Sequence, residues 1–185
     1  MTRKSITELR TQATETLIDN TSGEISPADI RTLIEDFLDT MRPSYGGCAI
    51  DATGVSKAVT TAFSPFVWET LIDTGSADWN SSAASGSAYR SNGPATTRIT
   101  FSADVVAPNN MIVTFTLFKN GVATPWSISV TSTSATDLQS LSLAGLDYEP
   151  GADINYQMQV KGSVNGNIVI SNAAFMVENV PVDAV

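Results

Sequence analysis

The side chains able to do chemistry are few, and their spacing suits catalysis poorly. The 185-residue chain has no histidine. That removes the usual general base at neutral pH, the triads built on it and most zinc sites. Asp73-Thr74-Gly75 carries the triplet that paired-carboxylate proteolysis uses twice. The only comparable stretch, Asp51-Ala52-Thr53-Gly54, has an insertion, so a turn at a strand end accounts for it. Asp147, Glu149 and Asp153 could offer oxygens to calcium, but their spacing fits no calcium loop and they read as an acidic turn. Cys48 is the sole cysteine, so no intrachain disulfide forms. With no neighbouring base or run of cations to activate its thiol, it reads as a small buried residue. No glycine-rich phosphate cradle is present, and a depolymerase would need paired carboxylates in a groove. The expectation is therefore no enzyme, no metal and no cofactor. What remains is recognition: Trp79, Tyr89 and Trp126 could supply stacking faces, with Trp79 and Tyr89 the candidates to face a ligand such as a host-surface glycan.

Charge narrows the partners. The formal net charge is −9, and charged residues make up only 16% of the chain, against about 25% in an ordinary soluble domain. Neither part of the chain carries a basic stripe, so nucleic acid is not an expected partner. No run approaches the roughly 20 apolar residues of a membrane span, and MTRKSITELR lacks the apolar core of a signal peptide. Folding in the cytoplasm, with no membrane partner, is the expectation.

The elements that must position these residues are mostly strands. From Thr96 to Val177 short alternating apolar runs are each closed by a turn signal. In Ile154, Tyr156, Met158 and Val160 the apolar residues recur at period two, with Asn155, Gln157, Gln159 and Lys161 between them. Asn120-Gly121 supplies the positive φ angles of a tight hairpin. Met111–Phe118 is nearly continuous in apolar and Thr residues, as in a central strand buried on both faces. Val55–Phe63 and Phe66–Asp73 read as further strands, and the small polar residues of 78–94 as a long exposed loop. Eight or so strands with frequent turns predict an antiparallel sandwich or barrel.

The first part of the chain reads differently. Ile6, Leu9, Ala13 and Leu17 recur at helical spacing over residues 5–19. Ser26-Pro27-Ala28-Asp29 opens a second helix with a cap, a proline at the first position and an early acid. Ile30, Leu33, Ile34, Phe37, Leu38 and Met41 form its apolar stripe, and Pro43 stops it. Two short helices gain their stability from packing, so the hairpin they form is expected to dock on its own β domain, on other copies or on another protein. Ser44-Tyr45-Gly46-Gly47 reads as a hinge. This divides the chain into a helical attachment module, 1–47, and a β knob, 48–185.

Two resemblances follow. ITFSADVVAP, VTFTLFKNGV, LQSLSLAGLDYEPGADINYQMQV and a closing strand with Phe175 resemble, in that order, the tumour necrosis factor-like jelly roll over residues 58–180. In it a Leu-rich strand ends at a Leu-x-x-Asp corner, here Leu143 to Asp147 with slightly different spacing. That resemblance implies a homotrimer with apolar and aromatic side chains at the three-fold axis. Phe115, Tyr156 and Phe175 are the candidates for the axis or for the core behind it. The second carries NTSGEISPADIR, Asn20 to Arg31, followed by an apolar helix and a proline. It is similar to a helical segment at the start of many tailed-bacteriophage structural proteins, and implies a module joining an exposed head domain to a particle. Together they imply a mainly β protein: an N-terminal α-helical hairpin followed by an antiparallel jelly-roll β-sandwich. The function implied is a trimeric virion spike, head fibre or decoration protein, made in the host cytoplasm and contacting capsid, neck or tail platform. The alternative is a tail-fibre or tail-spike module recognising a host-surface glycan or protein.

Overall fold

The computed structural model describes residues 6–16, 27–41, 45–50, 53–65, 68–73, 79–82, 86–90, 95–149 and 153–180. Two helices come first, α1 (Ile6–Thr16) and α2 (Pro27–Met41). Twelve strands follow among the described residues. They are β1 (Tyr45–Ile50), β2 (Val55–Val59), β3 (Ser64–Pro65), β4 (Thr70–Asp73), β5 (Trp79–Ser82) and β6 (Ser87–Arg90). Then come β7 (Ala95–Val106), β8 (Ile112–Lys119), β9 (Val122–Thr131), β10 (Gln139–Glu149), β11 (Ile154–Gly162) and β12 (Gly166–Val180). The chain divides into two compact units, one comprising residues 1–43 with 181–185 and the other Ser44–Val180. The sequence boundary after Gly47 thus falls inside β1.

The second unit is a mainly antiparallel sandwich of two sheets. The first has the order β10-β7-β12-β1-β4, with β2 also pairing β12; the second has the order β5-β6-β11-β8-β9, with β3 also pairing β11. Crossovers between the sheets leave every pairing antiparallel. Between the sheets lies one apolar core. Phe101 of β7 meets Phe115 of β8 at 5.0 Å between ring centroids, and Trp68 lies 6.3 Å from Phe175. The alternation read in the sequence is the cause: Ile154, Tyr156, Met158 and Val160 all point inward, and the residues between them do not.

Asn120 (φ 50°) and Gly121 (φ 78°) both take the left-handed conformation, which makes the β8–β9 hairpin read from Asn-Gly. Pro125 falls in β9 within the register shift between Ala123 and Ser127, where the ladder to β8 is already interrupted. In β8 burial covers both faces only in part: Val113, Phe115 and Leu117 are buried on the inward face and Thr116 on the other, where Ile112 is exposed. The Leu-x-x-Asp corner is also absent, because β10 runs on through Asp147 to Glu149.

Two expectations are corrected. Tyr45, Gly46 and Gly47 are not a hinge; they begin β1, inside the first sheet between β12 and β4. A Cβ on Gly47 would stand 2.0 Å from the Phe175 carbonyl oxygen, so only glycine lets β1 pair there. The stretch 78–94 is not one long loop, because β5 and β6 pair within it, Trp79 with Arg90 and Ser81 with Ala88. Its inward residues Trp79, Ser81, Ala88 and Arg90 are all buried.

In the helical unit, Pro27 occupies the first position of α2, as its stereochemistry favours. Leu9 is buried and Leu33 half-buried. Ile30 (46% exposed), Ile34 (52%) and Phe37 (52%) leave one apolar seam of α2 open. Leu17 and the capping Ser26 lie outside the described residues, as do the side chains of Ile6, Leu38 and Met41. No helix among the described residues is long and apolar enough to cross a membrane.

Candidate functional site

Two of the acidic candidates, Asp147 and Asp153, are occupied within the fold. Asp147 of β10 accepts hydrogen bonds from Lys119 Nζ of β8 at 2.6 Å and from the Tyr156 hydroxyl of β11 at 2.5 Å. One carboxylate thereby ties the first sheet to the second. Burial, with the hydrogen bond and charge of Asp147, holds the Tyr156 hydroxyl well above the usual tyrosine range, against the smaller opposing pull of Thr97 and Arg90. Asp153 accepts from the Tyr89 hydroxyl at 2.5 Å, and that bond raises the Tyr89 pKa. Glu149's side chain lies outside the described residues. Among the described residues no group of three or more His, Cys, Asp or Glu is placed to hold a metal ion. Cys48 is fully buried opposite Phe175, and burial pushes its thiol up to about 12. A reactive thiolate is therefore not available at neutral pH.

The aromatic candidates divide. Phe115, Tyr156 and Phe175 have no exposed surface in the single chain; they are its own core and cannot touch another copy. Their place on the inward phase of β8, β11 and β12 fixes this. Trp79 is not ligand-facing either, being only 3% exposed. Its ring packs 6.2 Å from Tyr156 under the Arg90 guanidinium, 5.9 Å from the ring centroid. Tyr89, 38% exposed, points outward from β6 as expected. Trp126 is half-buried, its indole lying over Gly145 of β10.

The two outer faces of the sandwich differ in chemistry. On the second sheet, register aligns Asn80, Tyr89 and Asn155 in one row, Gln159, Thr116 and Ser127 in another, and Lys161, Thr114 and Ser129 in a third. These groups bond among themselves: Thr114 with Ser129 at 2.8 Å, Thr116 with Ser127, and Gln159 Nε2 to Gln157 Oε1 at 2.6 Å. Phe118, in register with Gln157 and packed against Phe63 at 5.4 Å between ring centroids, and Ile112, 42% exposed, interrupt this mostly polar face.

The first sheet's outer face begins with a polar row, where Asp104 accepts from Ser140 and from Asn172, and continues in small and apolar rows. Ser142, Ser102, Ala174, Ala49 and Thr70 make one; Ala144, Thr100, Met176, Gly47 and Ile72 the next. Leu146, Arg98, Glu178 and Tyr45 follow, and then Tyr148, Thr96 and Val180. The Arg98–Glu178 pair, at 3.3 Å, is self-neutralising and exposed, so it contributes at most about 1 kcal/mol. Leu146 and Tyr148 stand 59% and 64% exposed on β10, the edge strand of this sheet. A flat area of small side chains bordered by exposed apolar ones lets another backbone approach closely and gains from being covered. Sequence reading missed Leu146 and Tyr148. Their signal was apolar residues on both phases of LAGLDY, where Leu143 points inward and Leu146 and Tyr148 outward.

No protein-family model matches the sequence, and comparison with characterised proteins finds no relative. The fold has counterparts among solved structures. The Eiger TNF of S. frugiperda superposes with a TM-score of 0.53 at 11% identity, covering 78% of this chain and 96% of that one. The globular domain of zebrafish complement 1qA protein superposes with a TM-score of 0.51 at 11% identity, covering 77% and 99%. At that identity the agreement concerns architecture alone: the β unit is a jelly roll of the tumour necrosis factor and complement C1q type.

Proposed function

We propose that this chain is a structural subunit of a tailed-bacteriophage virion, a trimeric spike, head fibre or decoration protein. In this reading the jelly roll is a knob whose copies associate through the outer face of the first sheet. The helices form the attachment hairpin that docks on capsid, neck or tail platform. The observation that carries the reading is the exposure of Leu146 and Tyr148 at the edge of the first sheet's small-residue rows, where the second sheet's outer face is mostly a hydrogen-bonded polar ladder. The jelly-roll neighbours are consistent with self-association, and the homotrimer is what the sequence resemblance implies. The particle is suggested by the segment from Asn20 to Arg31. The receptor-binding alternative loses its larger stacking face with the burial of Trp79.

The test uses the separateness of the two units. Removing residues 1–43 leaves β1 and the whole sandwich core in place. The truncated protein is expected to stay folded and associated but no longer to sediment with phage particles lacking the protein. Co-sedimentation equal to that of the full chain would contradict the attachment role.

A further inference from the structure

The open seam of α2 has a spacing of its own. Ile30, Ile34 and Phe37 are separated by four and three residues, and Met41 continues the series by four. That is the period of a coiled-coil seam, with Ile30 and Phe37 at d and Ile34 and Met41 at a. Isoleucine at adjacent d and a positions, as in Ile30 and Ile34, favours three or more strands over two. Charge is arranged to match. Asp29, Glu35, Asp36 and Asp39 all fall at b, c or f, away from the seam; its flanks at e and g are Arg31, Leu33, Leu38 and Thr40. An acidic helix can therefore meet copies of itself with no carboxylate facing another across the seam.

We propose that the α2 helices of three copies pack in parallel along Ile30, Ile34 and Phe37, forming a short three-stranded coiled coil. The occupant of the seam is the same seam of the other copies. Cyclic symmetry makes equivalent helices run the same way, so Ile34 meets Ile34. The helix is short, and an isolated bundle of this length is marginal. The proposal thus rests on self-association of the β unit. Only three residues separate α2 from β1, whose Tyr45 stands on the outer face of the first sheet. Copies joined there hold their α2 helices at high effective concentration. Particle contact then falls to surfaces of the helical module other than this seam.

Cysteine cross-linking of the full chain tests this, because Cys48 is buried and unreactive. Ile34→Cys places a thiol in the seam and Thr32→Cys places one at f, on the opposite side; both positions are exposed in the single chain, so neither change disturbs its own core. Under mild oxidation Ile34→Cys is expected to form covalent dimers about tenfold faster, or more, than Thr32→Cys at equal concentration. Equal rates in a chain whose light-scattering mass is trimeric overturn the coiled coil and leave knob association standing. Equal rates in a chain of single-copy mass overturn both.

Discussion

Cys48 and Tyr156 show how far single residues commit this fold to one protonation state. Both are fully buried, and in both burial favours the neutral form. For Cys48 the ordinary pKa of 9.0 becomes about 12 in the folded chain. Below pH 9 the thiol is protonated whether the chain is folded or not, and its contribution is complete. From pH 9 to 12 the unfolded chain ionises and the folded one does not, so stability falls by about 1.4 kcal/mol per pH unit. Tyr156 adds to the loss only above its ordinary value of 10.0. Urea unfolding is therefore expected to show a steeper decline between pH 9 and pH 10 in the native chain than in Cys48→Ala. Parallel curves would contradict the buried thiol. At this scale the sequence was only half legible. The burial of Cys48 followed from the absence of activating neighbours. Trp79 did not follow, because a tryptophan beside polar residues gives no sign that Arg90 and Tyr156 will enclose it.

Elements were read best where large apolar side chains mark the period. The β8–β9 hairpin, the alternation of β11 and the start of α2 were all legible for that reason. Strands β5 and β6 were not, since Ser81, Ala88 and Arg90 fill three of their four inward positions and leave no hydrophobic rhythm. Strand β1 was hidden by its glycines, whose reason is the proximity of β12 at Gly47 and of Trp79 and Ser81 of β5 at Gly46, and not a bend. Gly145 makes the same point across the open side of the sandwich. A Cβ there would meet three ring atoms of Trp126 at 2.8 to 3.0 Å. The rigid indole is held half-buried, so Gly145→Ala is expected to cost about 1–3 kcal/mol. A shift in urea midpoint with an unchanged slope would register it; no shift would mean that β9 and β10 part easily.

For the whole molecule, size alone did not reveal which aromatic residues meet another copy. Phe115, Tyr156 and Phe175 fill the chain's own core. The candidate interface is instead made of modest residues: alanine, serine, threonine and glycine, with Leu146 and Tyr148 at the edge. That contrast follows from packing physics. A core rewards volume, whereas two faces meeting across a sheet need flatness and few charges. The jelly roll was legible in the order of strands; the face it offers to partners became visible only once register set Leu146 beside Arg98 and Tyr148 beside Thr96.

The most direct test is the solution mass of the full chain by light scattering, alongside Leu146→Lys/Tyr148→Lys and a control, Gln157→Lys, on the polar face. The native chain and the control are expected at three times the chain mass, and the double variant at one. A native chain of single mass at micromolar concentration, or a double variant that keeps the native mass, would contradict association through the first sheet.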